Sequence, residues 1–141
     1  MAITQAVANS FKTEVLTGTH NFTATTGNTF KISLYTNSAT ISKSTTAYTT
    51  TAEVTGTGYT AAGNTLTSVT PALSTDTAVC DFADTSWTSA TITARGALIY
   101  NDTQSDKAVV VLDFGGDKTS TAGTITIQFP AADASNAIRL A

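Results

Sequence analysis

The sequence is poor in charge. Charged side chains make up 12% of its 141 residues, about half the roughly 25% of an ordinary soluble domain. The net charge is −3, and the seven Lys and Arg residues are scattered along the chain. Binding to a phosphate backbone requires a basic stripe or cluster. We therefore predict that the protein has no nucleic-acid partner.

Long apolar segments are also missing. No run approaches the roughly 20 apolar residues of a membrane-spanning helix. The N-terminus lacks the basic stretch and continuous apolar segment of a secretory signal. These two absences predict that the protein has no membrane partner and is made in the cytoplasm.

Residues able to activate a nucleophile are rare. His20 is the single histidine and Cys80 the single cysteine, and no Gly-x-Ser-x-Gly elbow is present. A Ser/His/Asp arrangement could be built only around His20, and Cys80 has no cationic neighbour in sequence to lower its pKa. We expect a histidine engaged in local packing, an inert thiol, no disulfide, no cofactor and no enzymatic activity.

Acidic residues offer the one conceivable metal site. They occur as pairs that loops could bring together: Asp81 with Asp84, Asp102 with Asp106, and Asp113 with Asp117. Carboxylate oxygens from loops suit Ca²⁺, but none of these pairs follows the calcium-loop pattern. We therefore favour turn caps and solvated loop charges, expect no bound metal, and keep calcium as the alternative.

Hydroxyl side chains replace the missing charge. Thr and Ser make up roughly a third of the chain. Hydroxyls can re-form hydrogen bonds against a partner, whereas an unpaired charge resists desolvation. Such a surface favours packing against other proteins.

The length favours one domain over residues 1–141. Helical spacing of Ile3, Val7, Phe11 and then Val15 or Leu16 predicts an N-terminal helix over about residues 3–17, with Gly18 as its stop. The apolar stripe could lie on the protein's own sheet or on a neighbouring subunit. Phe11 is therefore a candidate interface residue.

Beyond Thr29 the hydrophobic period becomes two, which is typical of strands with one buried face. The predicted strands cover residues 30–35, 64–70, 77–83, 90–100, 107–114, 124–129 and, more weakly, 136–140. Residues 115–117 and 121–123 are predicted turns between strands. The pattern predicts an all-β fold, an antiparallel β-sandwich or a jelly-roll-like barrel, with residues 108–112 as a central strand.

Residues 38–57 interrupt this pattern. The segment is rich in Thr and too long for an ordinary hairpin loop, so we predict a surface excursion that includes an edge strand or is a plain flexible loop. If it reaches a partner, Tyr48 and Tyr59 are candidate anchors, since tyrosine gives contact area at small entropic cost.

Two further predictions concern the long strand near residue 95. Trp87 is expected in the core between the sheets, with Phe82, Ile92, Leu98 and Phe114. The Arg95-Gly96 step predicts a bulge that turns Arg95 outward. Arg95 is then a candidate interface residue, paired with a partner's carboxylate or with Asp84.

Six segments carry a resemblance to known proteins. They are residues 10–14 (SFKTE), 29–36 (TFKISLYT), 53–60 (EVTGTGYT), 78–84 (AVCDFAD), 87–100 (WTSATITARGALIY) and 129–132 (FPAA). In this order they resemble a group of small virion structural proteins of tailed bacteriophages. The resemblance spans almost the whole chain.

The resemblance implies a virion component with no catalytic residues. Among such components it favours a capsid decoration, or cement, protein, a β module that binds the major capsid protein, is often a homotrimer, and stabilises the head. The alternatives are a neck, tail or fibre component, or a β-sandwich that binds carbohydrate or a receptor.

Overall fold

The computed structural model describes residues 2–130 and 138–140 as one short helix and eight strands. In chain order the elements are β1 (Ala6–Val7), α1 (Asn9–Leu16), β2 (Phe30–Tyr35), β3 (Asn64–Thr65), β4 (Ser68–Ser74), β5 (Thr77–Phe82), β6 (Thr85–Asn101), a 3₁₀ turn (Asp102–Gln104), β7 (Lys107–Ile127) and β8 (Ile138–Leu140).

The strands form two antiparallel sheets, and the fold is a β-sandwich. One sheet has the order β1-β7-β6-β2-β3 and the other the order β4-β5-β8. The predicted all-β class is confirmed, with the sandwich as the alternative that the structure adopts. Residues 108–111 of β7 are buried between β1 and β6, which agrees with their predicted central position.

Opposite faces of the large sheet are covered by different parts of the chain. Phe30 and Ile32 lie on the face toward the small sheet, where the Phe30 ring is 5.7 Å from the Phe82 ring of β5. Tyr35 and Tyr100 lie on the other face, since the antiparallel register aligns their alternation. Residues 36–63 cover this second face, and Ile41 and Val54 are almost fully buried there.

The N-terminal helix is shorter than predicted. It begins at Asn9 and ends at Leu16, so the predicted bounds of about 3–17 were wrong at the N-terminal side. Ile3 instead forms a parallel bridge with Ile41, and β1 pairs with Val110 and Val111 at the edge of the large sheet. Pairing with an otherwise open sheet edge outweighs a helical periodicity that only a few residues support.

Four strand predictions also need correction. The predicted strand 64–70 is two strands, because Asn64–Thr65 pairs with β2 and Ser68–Ser74 pairs with β5 in the other sheet. The predicted strands 107–114 and 124–129 are both parts of β7, and β6 begins at Thr85 rather than at residue 90. Of the predicted weak strand 136–140, residues 136 and 137 lie outside the described residues.

Gly115 does not lie in a hairpin turn. Ala94 pairs with Lys118 and Gly96 with Asp113, so residues 114–117 form an insertion in β7 opposite Arg95 alone. Gly115 has a φ of 76° at this insertion, a conformation that glycine adopts without steric cost. The glycine pair therefore bends a continuous strand, and the predicted turn was wrong.

Candidate interaction surface

The single histidine lies inside a hydrogen-bond network behind the helix. The His20 side chain is 0% exposed, its Nε2 is 2.7 Å from Glu14 Oε2, and its Nδ1 is 2.9 Å from Asn101 Nδ2. Asn101 Nδ2 also donates to Asn28 Oδ1, and Asn101 Oδ1 accepts from the Gln104 amide. The Asn101 orientation is therefore fixed, and His20 Nδ1 is the acceptor.

This arrangement assigns the His20 tautomer. With Nδ1 accepting from an amide, the Nε2–H donates to the Glu14 carboxylate. Both ring nitrogens are used, and the ring packs 4.9 Å from the Phe11 ring. His20 holds α1 to the 3₁₀ turn after β6 and has no free nitrogen to accept a proton from a substrate.

The thiol of Cys80 has a raised pKa. Burial, with a smaller contribution from the neighbouring Asp81 carboxylate, raises the pKa of Cys80 to about 12. A thiol with so high a pKa carries almost no thiolate at neutral pH. This agrees with the expectation of an inert cysteine.

The excursion over the large sheet is fixed by a buried carboxylate that the sequence did not single out. Glu53 Oε2 accepts from the Tyr48 hydroxyl and Glu53 Oε1 from the Tyr59 hydroxyl, both at 2.7 Å. The Ala62 amide donates to Glu53 Oε1 at 2.8 Å. Glu53 is 8% exposed, so these three donors satisfy a carboxylate that has left water.

The two candidate anchor tyrosines take part in this network. The Tyr48 ring stacks on Tyr100 at 4.8 Å, and the Tyr59 hydroxyl also accepts from the Leu34 amide. Both rings are half-buried within their own domain. Burial is the main cause that raises the pKa of each hydroxyl, and the Glu53 carboxylate adds to it. The prediction that they contact a partner stays a prediction.

Residues 38–57 adopt a fixed path rather than an edge strand. The segment makes only isolated bridges, at Ile41, Ala47, Glu53 and Thr57, each to a different part of the chain. Two tyrosine hydroxyls and one carboxylate hold it. The signal available in the sequence was Glu53, the single charged residue between Tyr48 and Tyr59.

The bulge at Arg95 is confirmed, but its predicted intrachain partner was wrong. The register shifts between Ala94 and Gly96, and Arg95 Nε lies 3.0 Å from Asp113 Oδ1. This hydrogen bond and the Gly115 amide lower the pKa of Asp113. Asp113 comes within reach because it pairs directly with Gly96 in the adjacent strand, whereas Asp84 caps the Phe129 amide.

The predicted core residues are buried, Phe114 only partly, but not all of them lie between the sheets. Phe82 does, against Phe30. Leu98 pairs with Ser33 and therefore lies on the face of Tyr35 and Tyr100, under residues 36–63, and the Trp87 ring is 5.9 Å from the Tyr59 ring on that same side. The predicted position between the sheets was wrong for Leu98 and Trp87, because both faces of the large sheet are covered.

The acidic pairs show no metal-binding geometry. Over residues 2–130 and 138–140, no group of three or more His, Cys, Asp or Glu side chains could hold a metal ion.

An apolar cleft opens between α1 and the small sheet. One wall, which we call the helix wall, consists of Val7, Phe11, Lys12, Val15 and Leu16. The other, the sheet wall, is formed by Pro71, Ala78 to Cys80 and Ile138 to Leu140. The cavity has a volume of about 440 Å³, and Phe11, a predicted interface residue, lies at its inner end with 6% exposure.

Large apolar side chains protrude at the mouth of this cleft. Leu16 on the helix wall is 88% exposed and Leu140 on the sheet wall is 62% exposed. Leu73 pairs with Ala78, which pairs with Leu140, so all three lie on one face of the small sheet. Leu73 is 75% exposed. The leucines extend the apolar surface beyond the cavity.

Few charged side chains lie at or near the cleft. Lys12 lies one helical turn before Leu16 and is exposed, and Asp76 is exposed in the turn that joins β4 to β5, beside Leu73. Neither side chain forms an ion pair within the described part of the chain. Among the described residues, the charged side chains that line the cleft itself are Lys12 on the helix wall and Arg139 on the sheet wall, both cations, and Asp76 lies outside this lining.

Comparisons with known proteins give no identity. The chain matches no protein-family model, no curated protein and no solved structure. Among the described residues, no helix has the length and apolar character needed to cross a membrane.

Proposed function

We propose that the protein is a structural component of a bacteriophage virion, a capsid decoration protein that binds the major capsid protein on the outer shell and stabilises the head. The observation that carries this proposal is the open apolar cleft with its protruding leucines. Contiguous apolar surface on a small domain marks a site for another protein. A chain that presents such a surface is suited to assembly.

The hydroxyl-rich surface outside the cleft supports the same function. Outside the cleft, Ser and Thr side chains cover the exposed face of the long β6–β7 hairpin. They bond across the strands, Ser86 to Thr126 at 2.7 Å and Thr93 to Thr119 at 2.9 Å. A face of paired hydroxyls can be desolvated against a shell without burying an unpaired charge.

The state of the reactive groups favours assembly over catalysis. His20 has both nitrogens engaged, Cys80 has a raised pKa, and Glu53 is saturated by three donors. His20 and Glu53 each hold parts of the fold together. The motif resemblance to small virion proteins points to the same class of function, and a homotrimer is the oligomer that it favours.

Quantitative mass spectrometry of purified virions tests the proposal. A decoration protein occurs in hundreds of copies per particle, in fixed ratio to the coat protein. Tens of copies or fewer would replace the proposal with a neck, tail or fibre location. Absence from the particle would end the virion assignment altogether.

A further inference from the structure

The cleft between α1 and the small sheet combines an apolar interior with cationic side chains in its lining. We propose that it receives an acidic amphipathic segment of the major capsid protein, with large apolar side chains inside the cleft and carboxylates at its mouth. The identity of this partner rests on the proposed function. The chemistry of the segment is inferred from the lining of the cleft.

The interior of the cleft selects apolar groups. Two of its lining side chains carry polar atoms, but both ring nitrogens of His20 are engaged within the chain, and the Cys80 thiol is only a weak donor. A polar group that entered would lose its water without gaining a good partner, which costs free energy. The part of the occupant that lies inside is therefore expected to be apolar.

The mouth of the cleft selects negative charge. Lys12 on the helix wall and Arg139 on the sheet wall both line the cleft and are exposed, and none of the lining residues in the described part of the chain is Asp or Glu. Acidic residues nevertheless outnumber basic ones in the whole sequence, ten to seven. A partner with carboxylates beside its apolar groups meets a cation on either wall, whereas a basic partner is repelled.

The exposed leucines favour a polypeptide over a small molecule. The cavity volume of about 440 Å³ would suit a small ligand, since ligand pockets have about 300–1,000 Å³. Leu16 and Leu140, however, protrude at the mouth, and Leu73 extends the same sheet face beyond the cavity. A small amphiphile in the cavity would leave much of this surface in water, whereas a segment with several apolar side chains can cover it.

The charges of the lining also disfavour a second copy of the chain as the occupant. If the helix wall of one copy packed on the sheet wall of another, Lys12 would approach Arg139. Like charges placed opposite each other at an interface weaken it. A partner that supplies carboxylates avoids this repulsion, and we expect any homo-oligomer of the chain to use another surface.

Selection from a displayed library of random peptides tests this chemistry without assuming a conformation for the segment. The purified chain is the bait, and a Leu16→Ser variant removes peptides that bind elsewhere. We expect the enriched peptides to combine Leu, Ile or Phe with Asp or Glu. A bait that carries both Lys12→Glu and Arg139→Glu should instead enrich apolar peptides with Lys or Arg, because the sign of the mouth is reversed.

Fluorescence anisotropy with the consensus acidic peptide measures each contribution. Lys12→Glu and Arg139→Glu should each weaken binding roughly tenfold, since each replaces attraction with repulsion. Lys118→Glu makes the same change in charge at an exposed position of β7 outside the cleft, and should leave the affinity within about twofold of the original. Leu16→Ser should weaken binding by roughly tenfold or more. Circular dichroism verifies that each variant keeps the fold.

Three results would overturn the inference. The first is a library that yields no peptide whose binding depends on Leu16. The second is a consensus without acidic residues, or an acidic consensus whose binding is insensitive to both Lys12→Glu and Arg139→Glu. The third is a different occupant: a copurified aliphatic carboxylate, detected by native mass spectrometry, that excludes the peptides, or self-association that Leu16→Ser abolishes. None of these measurements depends on the number of copies per virion, so this inference and the proposed function fail separately.

Discussion

The Glu53 network gives the most direct test of what holds residues 36–63 on the sheet. Replacing Glu53 with Ala removes the acceptor of three hydrogen bonds, from the Tyr48 hydroxyl, the Tyr59 hydroxyl and the Ala62 amide. The two hydroxyls lie in half-buried rings and can partly turn to water, whereas the amide cannot rotate. The variant is therefore expected to lose stability rather than to fold differently.

The magnitude follows from the number and kind of bonds. A hydrogen bond to a charged group contributes about 1.5–3 kcal/mol, and a donor left unsatisfied costs about 1–3 kcal/mol. Allowing for the hydroxyls that regain water, we expect Glu53→Ala to lower the free energy of unfolding by about 3 kcal/mol. For a domain of this size that corresponds to a drop in Tm of roughly 10 °C.

Urea denaturation followed by Trp87 fluorescence, together with calorimetry, measures the effect. Glu53→Gln keeps one acceptor oxygen and should cost only about 1 kcal/mol. Asp84→Asn removes an exposed carboxylate but keeps an acceptor for the Phe129 amide, and should stay within about 0.5 kcal/mol of the original. A Glu53→Ala protein as stable as Asp84→Asn would refute the assignment of Glu53 as the group that holds this segment.

Three further predictions concern single groups. All four tyrosines have pKa values raised chiefly by burial above the ordinary 10.0, so their contribution to the free energy of unfolding should be constant below about pH 10 and fall as the pH rises further. Absorbance at alkaline pH should show tyrosinate forming together with unfolding, and tyrosinate formation in the folded protein near pH 10 would contradict this. Since the pKa of Cys80 is about 12 against an ordinary 9.0, its alkylation at pH 7 should be roughly a thousandfold slower in the native protein than in denaturant, and comparable rates would show an accessible thiol. Gly63→Ala should cost at least about 2 kcal/mol, because Gly63 has a φ of 73° and an added Cβ would collide with the Ile32 carbonyl oxygen; Gly116→Ala, with open space around it, should be nearly neutral in the same urea titration.

Much of the fold could be predicted because the local pattern and the tertiary structure agree. The alternation in Phe30–Tyr35 places Phe30 and Ile32 on the face toward the small sheet, and the bulge at Arg95-Gly96 follows from a glycine inside a strand. The side-chain period separates the two faces of β2 without knowledge of a distant partner. The predicted single buried face was wrong, because residues 36–63 also bury Ser33 and Tyr35 on the other side.

The errors occur where a distant segment decides the local structure. Residues 3–7 carry a helical period but pair with Ile41 and with Val110 and Val111. Gly115 and Gly116 have the composition of a turn, yet the length of β6 opposite them keeps β7 continuous. Sequence spacing cannot reveal either pairing, because both depend on which strands become neighbours.

The candidate surface was predictable only in part. Phe11 was identified from its helical spacing and lies at the inner end of the cleft. The sheet wall could not be found in this way, because Leu73 and Leu140 share a face only through the register of β4, β5 and β8. Glu53 was missed for a similar reason, since its three donors converge only after the excursion folds over the sheet.

A cryo-electron map of the intact virion tests the central claim most directly. The account predicts density for this sandwich at repeated positions over the outer shell, in contact with coat subunits. Density confined to a single vertex or to the tail, or a shell surface without the sandwich, would contradict it.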